Sequence, residues 1–245
     1  MLKELIQNKA ELIALKKATI KTVQGGVSGI FNNTITKGVY EDSENELKRT
    51  IIGNTYNWMD SHQDVHAKNV FSKTIKERSI FHLHDHKFEL TAKVGEPLKV
   101  YEDTIKWADL GINKDGETMA LFMDSRIIKG YNERIFNEYK SGLINQHSVG
   151  MQYVKIDLAI NDEEEEEEYK TWTDNIDNLG NKEDAEKLGY FWLVREAKLI
   201  EISAVLLGSN SLTPTIEPLK DTQKDEPPQS TQTELELFLK TILKK

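Results

Sequence analysis

The chain has 245 residues, with 32 Lys+Arg against 41 Asp+Glu for a formal net charge of −9, and its hydrophobic and charged fractions are 38% and 30%. That length suits one large domain or a medium one with appendages, and the acidity argues against a general nucleic-acid binder, which needs cations to displace phosphate counterions. The absence of cysteine excludes disulfides, thiolate catalysis and Cys-based zinc sites. No apolar run approaches the ~20 residues of a membrane helix, and Met1-Leu2-Lys3-Glu4, acidic and with no apolar stretch after it, is not expected to open a secretory leader. A soluble, cytoplasmic-type protein is expected.

Residues 1–24 read as an amphipathic helix, with Leu2, Leu5, Ile6, Leu12 and Ile13 on one stripe, before Gly25-Gly26 breaks the pattern. From there to about residue 216 short strand-like pieces dominate. Residues 80–86 alternate, with Phe81 and Leu83 on one face and His82, His84 and His86 on the other. Leu98–Tyr101 and Thr118–Phe122 read as strands, and Tyr131–Lys140 as a helix ended by Ser141-Gly142. In the strand expected over 148–160, Val154, Ile156, Leu158 and Ile160 share the parity of Ser148 and Gly150. Glu163–Glu168 reads as a solvated acidic loop, and 175–189 as polar and turn-rich.

Leu199–Leu207 is the strongest strand, apolar on both faces with Glu201 in its middle. Residues 217–230, with Pro227-Pro228, read as a disordered linker. Residues 231–245 close with a helix behind a Thr231-x-x-Glu234 capping box. The fold class expected is α+β and β-rich, a barrel-like domain over 25–216 with helical appendages at both ends.

All six histidines fall between His62 and His147, which raises a metal reading. His82 and His86 would lie about 13 Å apart along a strand, too far for easy chelation. His84 with His86, helped by Asp60 or Asp64, is the better pair, but no metal or other cofactor is expected. The second reading is nucleophilic catalysis, for which a cysteine-free chain must use Ser, Thr or Lys. Ser148 stands at a strand start beside Gly150, where a substrate backbone could approach closely. A histidine of the 80–86 segment could be its base. Glu201 needs a buried partner, because a lone carboxylate in an apolar strand costs several kcal/mol; a histidine would serve, and Arg195 or Lys198 would serve as well.

At these same places the sequence resembles the tailed-phage prohead proteases, capsid-maturation serine proteases related in fold to herpesvirus assemblin. Four segments carry the likeness. Trp58–Val65 followed by Phe71–Lys76 is similar to the family's "D…D(V/I)…F…T(I/L)" pattern. Leu83–His86, then Val94-Gly95 and Tyr101-Glu102-Asp103, is similar to "L-x-x-H…I-G…E-D". Gly142 through Ser148-Val149-Gly150-Met151 is similar to "G…S-x-G-F", with Met151 where an aromatic is usual. Leu199–Val205 with Asn210 is similar to "L-x-E-(V/I)-S-x-V…N". The likeness spans roughly residues 50–216.

The resemblance implies an assemblin-like barrel of mostly antiparallel strands surrounded by helices. It implies Ser148 as nucleophile, His86 as base and Glu201 as third member. His84-Asp85 fits an "H-D" version of the motif, so His84 stands as an alternative base. It implies cleavage of scaffold and of the protease's own tail inside the procapsid in the host cytoplasm, with the major capsid protein and scaffold as partners, a homodimer by kinship, and neither nucleic acid nor membrane as partner. The alternative is a non-catalytic assembly protein that keeps the fold.

Overall fold

In a computed structural model, residues 2–21, 35–36 and 42–217 are described. The helix expected over 231–245 and, beyond Glu217, the linker expected over 217–230 lie outside the described residues. The described elements are α1 (Leu2–Gln7), α2 (Lys9–Ala18), β1 (Ile20–Lys21), β2 (Ile35–Thr36), β3 (Glu46–Thr55), β4 (Asp64–His66), α3 (Thr74–Glu77), β5 (Phe81–His84), β6 (Lys93–Lys106), β7 (Glu117–Ile128), α4 (Glu133–Lys140), β8 (His147–Ile160), α5 (Glu166–Asn175), α6 (Lys182–Leu188), β9 (Tyr190–Ala204) and β10 (Thr215–Glu217).

All ten strands join one mixed sheet in the order β1-β8-β9-β5-β6-β7-β3-β10-β2, with β4 also on β9. Long antiparallel ladders join β8 to β9, β6 to β7 and β3 to β7, while β5 and β4 run parallel to β9. The class is therefore α+β with a dominant sheet. Among the described residues no ladder joins the two ends of the strand order, so the sheet is unclosed: β3 continues to β10 and β2 instead of bonding back to β8.

Local sequence explains most elements. Asn132 caps α4 by accepting from the Ile135 N–H at 3.1 Å, and Gly142, with φ 74°, ends the turn after it. Ile135, Phe136 and Tyr139 bury one face of α4. The N-terminal helix is two pieces meeting at Asn8, a weak helix former, across which Asn8 N–H to Glu4 and Leu12 N–H to Asn8 still bond. Leu2, Leu5, Ile6, Leu12 and Ile13 pack on the main core.

Three expectations need correction. The acidic run is not all loop: α5 begins at Glu166, where a negative first turn suits the helix N-terminus, and buried Glu168 takes Lys9 Nζ at 2.6 Å. β9 begins at Tyr190, nine residues before Leu199, because its first half pairs with β8 and β4. The parity of β8 is not constant. Irregularities between Tyr153 and Ile156 switch faces, so Val149, Met151 and Tyr153 are core on one side of them and Ile156, Leu158 and Ile160 on the other. Ser148 and Gly150 thereby stand on the face opposite their apolar neighbours.

The N-terminal segment is held by charge as well as by apolar contact. β1 pairs with β8 at Met151 and Gln152. Lys21 Nζ lies 2.8 Å from Asp60 and 2.6 Å from Asp64, Lys16 Nζ lies 2.7 Å from Asp64, and the Tyr153 hydroxyl donates to Asp64. Burial pushes the Asp64 carboxyl up, but Lys21 and Lys16 outweigh it and hold it well below the carboxylate range. Replacing Lys21 by Met should leave two buried carboxylates short of a partner. The expected cost is about 3–5 kcal/mol, measured as a fall in urea midpoint; an unchanged midpoint would show that the pairs contribute nothing net.

Candidate functional site

The site forms where β9 runs between β5 and β8. Ser148 lies directly opposite Ser203, and Gly150 directly opposite Glu201. Directly opposed residues share a face, with Cβ atoms about 5 Å apart. Ser148, Ser203 and Glu201 therefore emerge together, and all three are buried. β5 pairs with β9 as far as His84 against Ala204 and then stops.

The next two residues, Asp85 and His86, have φ of 53° and 55°. Two consecutive non-glycine residues in the left-handed region are uncommon, and such conformations persist where the surroundings over-determine them. Here Asp85 N–H donates to Ala204 O at 2.9 Å and His86 N–H to Ser203 Oγ at 3.1 Å. His86 is thus not a member of the strand's polar face, as the alternation suggested. It sits in the turn beyond the strand, and the turn aims its ring back at β9.

His86 Nδ1 lies 2.6 Å from Glu201 Oε1. Nδ1–H is the donor, since a carboxylate only accepts. The other carboxylate oxygen accepts from Ser203 Oγ at 2.5 Å. Both oxygens of a fully buried carboxylate are thereby satisfied, and the imidazole is fixed in the tautomer that leaves Nε2 with its lone pair. His86 Nε2 is buried with no hydrogen-bond partner among the described residues, and no hydrogen bond joins it to Ser148. Gly150 makes the arrangement possible: a Cβ there would stand 2.0 Å from Glu201 Oε1.

The competing assignments fall elsewhere. His84 Nδ1 bonds its neighbour Asp85 at 3.0 Å and its Nε2 faces Asn132, away from Glu201. Asp60 and Asp64 hold Lys21, not a histidine pair, and among the described residues no group of three or more His, Asp or Glu is placed to hold a metal ion. Arg195 pairs with Asp157 and Lys198 is exposed, while the ion-pair partner of Glu201 is His86. Ser203 entered the sequence reading only as a member of the Leu199–Val205 motif and was given no role, although its place two residues after Glu201 on the same strand face was a legible signal. Gly150 as the space for a carboxylate was not legible, since it depends on the register between two strands.

A cleft of about 320 Å³ opens at the end of β9, lined among others by His84, Asp85, Arg134, Glu138, Gln146 and Leu206. It reaches within one residue of His86 and two of Ser148. Leu143 and Leu206 on its walls are strongly exposed.

No protein-family model matches the chain, and no curated protein or solved structure matches it.

Two outcomes are expected. Gly150→Ala should displace the Glu201 carboxylate and cost about 1–3 kcal/mol in urea unfolding, while Gly130→Ala, where a Cβ would meet nothing within 4 Å, stays within about 0.5 kcal/mol; equal effects would contradict the geometry at Gly150. The second outcome concerns pH. Burial lowers His66 and His147 to about 4 and His82 to about 3, from an ordinary 6.5. Between those values the unfolded chain binds more protons than the folded one. Stability is therefore full above about pH 6.5 and falls as pH drops toward 4, by of order 1 kcal/mol per pH unit for each such histidine. A urea midpoint that stays flat from pH 7 to 4.5 would contradict neutral burial of these rings.

Proposed function

We propose that this protein is a serine endopeptidase of the prohead-protease kind, with Ser148 as nucleophile, His86 as general base and Glu201 as the group that orients the base. The observation that carries the reading is the buried 2.6 Å contact of His86 Nδ1 with Glu201, on the strand face that also bears Ser148. A histidine so held presents a lone pair at Nε2, which is what activation of a hydroxyl requires. The unpartnered state of that nitrogen fits a base whose hydrogen bond to the nucleophile tightens on substrate binding.

In the reaction, His86 Nε2 takes the Ser148 proton as Oγ attacks the scissile carbonyl. The tetrahedral intermediate collapses with loss of the amine, which leaves with the proton from the imidazolium. Water then gives its proton to His86 and attacks the acyl group, and Ser148 leaves with that proton restored. Glu201 stays ionised and stabilises the imidazolium, and Ser203 keeps its second oxygen occupied. The cleft beside the site would take the peptide on one side of the scissile bond, with Leu143 and Leu206 offering apolar contact.

The substrates would be scaffold and the chain's own tail, cut within a procapsid in the host cytoplasm. The major capsid protein and scaffold would be partners, and a homodimer is part of the same reading. The sheet would then be the body of an assemblin-like barrel.

The test is intact mass over time with scaffold present, together with labelling by a fluorophosphonate probe. Wild type should trim scaffold or itself and take the probe on Ser148; Ser148→Ala should do neither and stay folded. Glu201→Gln should cut about 10⁴-fold more slowly, by loss of the correct tautomer. A wild type that neither cleaves nor takes the probe would leave the non-catalytic assembly protein as the reading.

A further inference from the structure

Tyr139, His82 and His147 form a second polar cluster next to the site, and the catalytic reading makes no use of it. His147 Nδ1 lies 2.8 Å from Thr213 O, a carbonyl that can only accept, so Nδ1 carries a proton. With the ring neutral, Nε2 is an acceptor, and Tyr139 OH donates to it at 2.9 Å. The Tyr139 proton being used, His82 Nε2, 3.1 Å from the same hydroxyl, must donate to it. His82 Nδ1 then accepts from Ser125 Oγ at 2.8 Å, the nearer of two acceptors for that hydroxyl's one proton, Glu96 O lying 3.4 Å away. Every donor and acceptor in the run is assigned in one direction, from Ser125 to Thr213. All five residues are buried.

The run passes through His147, the residue before Ser148. His147 is gripped three times by Thr213: its ring as above, its N–H by Thr213 Oγ at 3.1 Å, and its carbonyl by the same hydroxyl at 2.7 Å. Gly208 closes against that carbonyl so tightly that a Cβ would stand 2.5 Å from it. Midway along the run, Tyr139 belongs to α4, whose Arg134 and Glu138 line the cleft. Apolar side chains of the same volume could fill this space without a desolvation cost, so packing alone does not call for two histidines and a tyrosine here. A chain whose members fix one another's tautomers specifies a single geometry, which a nucleophile needs to within about 0.5 Å.

We propose that Tyr139 and His147 are positioning residues, and that the one-way chain Ser125–His82–Tyr139–His147–Thr213 sets the place of Ser148 relative to His86 and ties it to the wall of the cleft. This rests on Ser148 being the nucleophile.

Two measurements test it. Nitrogen-15 shifts of labelled histidine in the full chain should show His147 protonated on Nδ1 and His82 on Nε2. Tyr139→Phe keeps the ring volume and removes the link, and should slow fluorophosphonate capture of Ser148 and lower kcat on scaffold by about tenfold to a hundredfold, with KM unchanged. Either ring in the opposite tautomer, or capture by Tyr139→Phe at the wild-type rate, would overturn the proposal. If Tyr139→Phe does not fold, the wild-type tautomers decide alone. Absence of capture by the wild type would overturn the serine-protease reading itself, and the proposal with it.

Discussion

A carboxylate in the middle of the most apolar strand governs the architecture around the site. Glu201 is fully buried, and a buried charge left alone costs far more than a domain's net stability allows. It must therefore find donors, and four local features answer that need. The left-handed turn at Asp85-His86 delivers an imidazole N–H, Ser203 delivers a hydroxyl from the same strand face, and Gly150 leaves the volume into which the carboxylate leans. The fourth is the parallel pairing of β5 with β9, which ends at His84 so that the turn falls beside Glu201. Each of these would be a cost or a puzzle alone; together they are one solution to one electrostatic problem.

β8 joins this arrangement to two others of different character. At Met151 and Gln152 it takes the short strand β1, whose Lys21 enters the acidic pocket of Asp60 and Asp64. At His147 it takes the neutral chain through Tyr139 and His82. Ser148 lies between an ionic clamp and a tautomer-locked chain, on the stretch of β8 that pairs with the Glu201 end of β9. The two devices differ physically. The clamp is a set of charges whose strength depends on complete pairing, whereas the neutral chain depends on proton direction and is rigid for that reason. Rigidity on both sides of a residue is what precise presentation of its hydroxyl requires.

The sequence by itself determined the β-rich class, the principal strands, the capped helix α4 and the amphipathic N-terminal stripe, because these rest on periodicities of 2 and 3.6 and on local capping chemistry. It also singled out Ser148, His86 and Glu201, the last because a charge in an apolar strand is conspicuous in one dimension. It misjudged what depends on the partner strand. The irregularities in β8 that reverse its parity, the early start of β9 and the helix inside the glutamate run follow from pairing and packing with distant residues, such as Lys9 on Glu168. Tertiary structure alone decided that His86 and not His84 meets Glu201, since one turn separates two histidines that alternation treats alike. It alone revealed why position 150 is glycine and how His82, Tyr139 and His147 share protons. The physical reason is common to all of these: a hydrogen bond or a steric limit between strands is a fact of register, and register is set by the whole sheet rather than by any segment within it.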